Sequence, residues 1–189
     1  MRDNAQQFLV LFGQRPDNRR LDALLLDPMP VVEAEIDLAL PQEQAFALTQ
    51  DYYVRLEWDP FLKDMRFLDG AQEAAVGVKV WVKAWTGLTM TVEYISLKPP
   101  SVVAMQMLEG PWFFEKFAGT WRFRPLEAER SQVIFRYSFT TRWPRLRPLL
   151  DPIITKLFSH DIRARLQGLK RAAEETDIIA RVGEPSTCA

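Results

Sequence analysis

Two carboxylates break the apolar side of an otherwise alternating pattern: Glu109 at the end of one strand-like run and Glu115 at the start of the next. The alternation sets Glu109 opposite Met90 and Glu115 opposite Thr141, both on one face. Two carboxyl groups brought together in apolar surroundings do not both ionise freely, so one becomes a usable general acid or a neutral hydrogen-bond donor. The competing reading puts both at the open end of a sheet beside Gly110 and Pro111, hydrated or paired with an arginine. Tyr94 and Tyr137 fall on the same face, where a buried phenol could offer its proton to a ligand carbonyl. His160 is the single histidine. It borders an apolar helical stripe, but with no second ligand at helical spacing and no nucleophile beside it, it makes neither a metal site nor a triad. Glycine-rich phosphate loops, zinc-ligand spacings and a Gly-x-Ser-x-Gly elbow are missing from the sequence, and Cys188 is the lone cysteine. The expectation is a protein that uses neither metal nor cofactor.

Composition narrows the partners. Lys and Arg number 24 against 25 Asp and Glu, so no strong basic field is available for nucleic acid. Arg122, Arg124, Arg136, Arg142, Arg145 and Arg147 read instead as a solvated convex face. The most apolar N-terminal run, Phe8 to Phe12, is too short to span a bilayer and lacks signal-peptide flanks. With one cysteine and no disulfide framework, a reducing cytoplasm fits. Trp81, facing outward between Lys79 and Lys83 with Thr91 opposite, could mark contact with a second copy, a homodimer.

The elements that must position these residues follow from periodicity. Val32, Ala34, Ile36 and Leu38 alternate with Glu33, Glu35 and Asp37, a half-buried strand. Pro41 opens a short helix to about Gln50, and a second piece over Tyr52 to Leu56 leads into Trp58-Asp59-Pro60. A three-residue loop of Trp85, Thr86 and Gly87, with Gly87 left-handed, pairs Val82 with Met90, Val80 with Val92 and Val78 with Tyr94, and sets Lys79 opposite Glu93. A two-residue loop would mix Val80 with Glu93. The turn Lys98-Pro99-Pro100-Ser101 then places Tyr94 opposite Met105 and Val92 opposite Met107. The inward set continues as Phe113, Glu115, Phe117, Gly119, Trp121 and Phe123, then Val133, Phe135, Tyr137, Phe139 and Thr141. Downstream, a 3.6-residue stripe from Leu146 to Ala173 predicts a long helix, with Asp151 and Pro152 as N-cap and first residue, a helix to about Glu175 roughly 35 Å long, and a separate turn over Pro144 to Leu150. Residues 1–30 read as an extension with short helices over Asn4 to Phe12 and Leu21 to Leu26, residues 31–176 as one domain, and residues 177–189 as a tail.

Strand, two short helices, six strands in an antiparallel meander and a long C-terminal helix, together with Ala39-Leu40-Pro41, Trp58-Asp59-Pro60 and Leu166-Gln167-Gly168-Leu169-Lys170, resemble the START-like helix-grip (SRPBCC) superfamily, in particular its polyketide cyclase/dehydrase-like branch. The resemblance implies an α+β helix-grip fold, a curved sheet of about seven strands wrapped around the last helix. It also implies a cavity between them, whereas the residues alone would as readily give a filled core. The expected lining is Met65, Phe67, Met90, Tyr94, Met105 and Met107 from one part of the sheet, and Phe117, Phe135, Tyr137 and Phe139 from the other. Trp58, Phe61, Leu157 and His160 would complete it from the helical side. Flexible methionines and aromatics suit a pocket that adapts to a hydrophobic small molecule, such as a lipid, isoprenoid or aromatic polyketide, with Tyr94, Tyr137 or Glu115 orienting its polar end. Two other readings stay open. One is a cofactor-independent cyclase or dehydratase with Glu109 or Glu115 as acid/base; the other is a protein-interaction module with a filled core.

Overall fold

The computed structural model describes residues 29–183. The short helices read over Asn4–Phe12 and Leu21–Leu26, and Cys188 in the tail, lie outside the described residues.

Strand β1 (Val31–Leu38) keeps Val32 and Leu38 buried and its glutamates exposed. Helix α1 (Gln42–Gln50) buries Ala45, Leu48 and Thr49. Helix α2 (Tyr52–Trp58) begins at Asp51, whose side chain accepts from the amides of Tyr53 and Val54 at 3.1 Å, satisfying two of the amides that a helix start leaves unpaired. The remaining strands are β2 (Leu62–Phe67), β3 (Lys79–Ala84), β4 (Thr89–Lys98), β5 (Val102–Glu109), β6 (Phe114–Glu127) and β7 (Arg130–Thr141). They form one seven-stranded antiparallel sheet in the order β1-β7-β6-β5-β4-β3-β2. Helix α3 (Arg147–Glu175) follows a 3-10 turn at Pro144–Leu146. This is the helix-grip arrangement expected from the sequence.

The β3–β4 hairpin has the expected register: Val82 faces Met90, Val80 faces Val92 and Lys79 faces Glu93. Gly87 takes φ +87° at the turn, where a side chain would strain the backbone. Across the next turn Val92 faces Met107 and Tyr94 faces Met105. At the core, Trp121 stacks on Phe135 with ring centres 3.7 Å apart.

Two local readings are corrected. A bulge between Phe114 and Lys116 sets Phe114, not Glu115, opposite Thr141; one extra residue shifts the alternation at the start of the strand, so Phe114 is buried and Glu115 exposed. A second irregularity between Thr91 and Val92 sets Glu109 opposite Thr91 rather than Met90. The helix also starts earlier than Asp151. Pro148 occupies one of its first two positions, where an amide would be unpaired anyway, and Pro152 lies inside the helix. Asp151 does not cap; its carboxylate accepts from the Thr141 hydroxyl at 2.9 Å. With 29 residues, α3 is about 44 Å long.

Candidate functional site

A cavity of about 380 Å³ lies between the concave face of the sheet and α3, near the lower end of the range for small-molecule pockets, about 300 to 1,000 Å³. Its exposed lining residues, Thr86, Leu88 and Thr89 from the β3–β4 hairpin and Leu157 from α3, form the mouth. The walls carry Met65, Met90, Met105, Phe117 and Phe158. Gly119 leaves a gap in the β6 wall, where an added Cβ would touch only the Tyr137 and Phe135 rings, at 3.6 Å and beyond.

Apart from Thr86 and Thr89 at the mouth, the polar side chains of the lining are Tyr52, Arg55, Tyr137, Asp161 and Arg165. Arg165 is brought there by the apolar period of α3, since it shares a stripe with Ile162, Leu166 and Leu169, all buried. Behind it sits Asp59, fully buried in the turn after α2. The same Asp59 oxygen accepts from Arg165 Nη2 at 2.7 Å and from Arg55 Nε at 3.1 Å, and Arg55 also donates to the Thr49 carbonyl at 3.0 Å. Both guanidiniums lie over aromatic faces, Arg55 5.2 Å from the Trp121 centroid and Arg165 4.8 Å from that of Phe61. Such contacts help to hold a cation away from water.

Tyr137 links this buried pair to the cavity. Its hydroxyl accepts from Arg165 Nη1 and donates to Asp161 Oδ2 at 3.3 Å. Asp161 is the more loosely held acid, 3.9 Å from Arg165 Nη1 and 19% exposed. Burial pushes the Asp161 carboxyl above the usual carboxylate range, although Arg165 pulls the other way. Burial likewise pushes the Tyr137 phenol up, against the pull of Arg165. For Arg165, burial alone would favour losing the proton, but Asp59, Tyr137 and Asp161 hold the guanidinium above its ordinary value. Arg165 Nε is buried without an acceptor. The site therefore offers two fixed cations, one fully buried anion, and one carboxyl that burial shifts toward its neutral form.

Phe61, Met65, Met90 and Met105, and also Phe117, Phe135, Tyr137 and Leu157, line the cavity. The other residues read as lining are placed elsewhere. Tyr94 is wholly buried, its hydroxyl paired with the Tyr52 hydroxyl and donating to the Gln50 amide oxygen at 3.2 Å, and burial raises its phenol pKa. Phe67 stacks on Tyr52 at 4.5 Å, and Phe139 and Trp58 are core residues. Met107 packs at the edge of the core and His160 is exposed. Glu109 and Glu115 do not line the cavity; both are exposed, and Glu115 pairs with Arg147 at 3.2 Å. Trp81 does face Thr91, under the Arg66 guanidinium 4.4 Å from its ring.

Sequence reasoning missed Arg55, Asp59, Asp161 and Arg165, because charged residues were assigned to solvent. A signal was present: Arg165 stands three residues after Ile162 and four before Leu169, a core position of the stripe. Among the described residues no cluster of three or more His, Cys, Asp or Glu could hold a metal ion, and no helix is long and apolar enough to cross a membrane.

The sequence model of the family described as polyketide cyclase/dehydrase and lipid transport matches residues 29–174. No curated protein sequence matches the chain. Among solved structures, a START superfamily protein from Mycobacterium smegmatis superposes with TM-score 0.64 at 13% identity, covering 77% of this chain and 97% of its own. The Zhui aromatase/cyclase from a Streptomyces species gives TM-score 0.60 at 23% identity, over 76% and 95%. A norcoclaurine synthase point mutant from Thalictrum flavum, in complex with a transition state analogue, gives 0.62 at 12% identity, over 80% and 98%. At these identities the likeness is one of fold.

Proposed function

The chain belongs to the polyketide cyclase/dehydrase and lipid transport family, and from that premise we propose that its helix-grip domain binds a hydrophobic small molecule in the cavity between sheet and α3. The observation that carries this reading is an apolar cavity of about 380 Å³ with a compact polar cluster on one side of its lining. Affinity would come mostly from apolar burial, at roughly 25 cal/mol per Å² removed from water. Methionines on the wall let the pocket adjust its shape, and Arg165 with Tyr137 would orient the polar end of the ligand.

Native mass spectrometry of the freshly purified full chain, followed by solvent extraction, tests the reading. A hydrophobic adduct near one per chain is expected. An apo mass, together with no saturable binding of the neutral probe N-phenylnaphthylamine, would contradict it.

A second reading is favoured by one observation: an aspartate held toward its neutral form lies beside a tyrosine hydroxyl in the same cavity. That pair could donate and remove protons while a reactive chain is folded for cyclisation or dehydration. Incubation with a linear poly-β-ketone would be expected to give cyclised product with the unaltered protein and not with Asp161→Asn. Unchanged ketone in both would remove this reading.

A further inference from the structure

Resting on the reading that the cavity holds a hydrophobic molecule, we propose that the polar end of this molecule is a carboxylate, seated against Arg165 and Tyr137, and that Asp161 takes up a proton as it binds.

The argument begins with which groups are already committed. Arg55 reaches the cavity lining and donates from Nε to Asp59 and from Nη1 to the Thr49 carbonyl. One Asp59 oxygen serves both arginines, and the other accepts from the Phe61 amide at 3.2 Å. Asp59 thus already accepts three hydrogen bonds, and its single charge faces two guanidiniums. What remain are two guanidinium donors, Arg55 Nη2, with no described acceptor on the cavity lining, and Arg165 Nε, buried without one. A buried donor left in this state costs free energy until an acceptor arrives. A carboxylate supplies one; an ammonium or a hydrocarbon end does not.

The obstacle to a carboxylate is Asp161, the only acid among the described residues that line the cavity. It faces Arg165 and His160 on its own helix, Tyr137 on β7, and Asp59 from the turn after α2, while Arg55 acts on the neighbouring Tyr137. It makes no short ion pair: Arg165 is 3.9 Å away, and its described hydrogen bond is the one from Tyr137 at 3.3 Å. Once protonated, Asp161 stops repelling the incoming carboxylate and becomes a donor to it. The two arginines stay charged, so the neutral aspartate leaves the cluster with one surplus positive charge, which the ligand matches. Exchange of one anion for another keeps the buried charge balanced, the condition under which burying a charge is tolerable.

Calorimetric titration of the full chain with decanoate, decanol and decyltrimethylammonium tests this, run between about pH 6 and 9, where decanoate is ionised. Two buffers of different ionisation enthalpy count the protons exchanged. Decanoate is expected to bind at least about tenfold more tightly than either of the others, with its affinity falling by up to about tenfold per pH unit wherever Asp161 is ionised in the free protein. Asp161→Asn, which keeps the side-chain shape, should bind decanoate more tightly at the upper end of that range and flatten the pH dependence. Equal affinity for decanol or the ammonium, with no proton uptake, would overturn the inference while leaving a hydrophobic cavity in place. No binding of any of the three would defeat the cavity reading as well.

Discussion

From Asp161 onward α3 is a core element: Ile162, Leu166, Leu169 and Ala172 are buried, and Gly168 lies so close to the turn after α2 that an added Cβ would stand 2.5 Å from the Trp58 carbonyl oxygen. Before Asp161 the same apolar period continues, yet Leu149, Ile153 and Leu157 are 66%, 53% and 64% exposed, while Ile154 and Phe158 line the cavity. The helix is thus gripped along its second half and forms one wall of an open mouth along its first. Apolar spacing makes both halves helical, but what each half touches depends on where the sheet closes over it.

Breaking the gripped half should have the largest effect. Asp59→Asn leaves two buried guanidiniums sharing a neutral partner, and removal of one member of a buried ion pair typically costs about 3 to 5 kcal/mol. Chemical denaturation of the variant measures it; a loss below about 1 kcal/mol, the scale of an exposed pair, would mean that Asp59 does not clamp the helix. Next comes a matched pair of truncations. Leu166→Ala in the gripped half is expected to cost about 2 to 5 kcal/mol, and Leu157→Ala at the mouth no more than about 0.5 kcal/mol. Similar losses from the two would erase the distinction between the halves.

The smallest effect is at the boundary, and it depends on pH. Burial raises the Asp161 pKa in the folded chain, so the folded state holds this proton more tightly than the unfolded state. That contribution to stability is complete below the ordinary aspartate pKa and is lost as pH rises through the raised value. Asp161→Asn should therefore gain on the unaltered protein as pH rises through the raised value, and lose that advantage toward about pH 3. Thermal midpoints across this range read the difference, and a pH-independent gap would show that the carboxyl does not titrate differently on folding.

The same contrast explains what could be read from the sequence. Hairpin register was legible wherever a turn residue fixed it: Gly87 and the four residues from Lys98 to Ser101 align Val80, Val92, Tyr94 and Met105 as their alternation requires. The facing of Glu115 was not, because a bulge is a backbone event that leaves no mark in a two-residue period. Asp151-Pro152 looked like a helix start, but Pro148 had already supplied an acceptable one. The polar cluster was hidden for a different reason. Arg55 and Arg165 hold core positions on their helices, and only the three-dimensional approach of Asp59 makes burying them tolerable. Of the aromatics, alternation identified those facing inward, but not those that form the wall, such as Phe117 and Tyr137, from those packed behind it, such as Phe139 and Tyr94.

The most direct test of the account is to fill the cavity without touching the grip. Gly119 lines the cavity, and a first added carbon would make only ordinary contacts with Tyr137 and Phe135, so Gly119→Leu should extend into the empty space. Titration with N-phenylnaphthylamine, alongside a thermal melt of the same sample, is expected to show saturable binding in the unaltered protein and its loss in the variant, with an unlowered melting midpoint. Undiminished binding by a folded Gly119→Leu protein would place the ligand elsewhere and contradict the account.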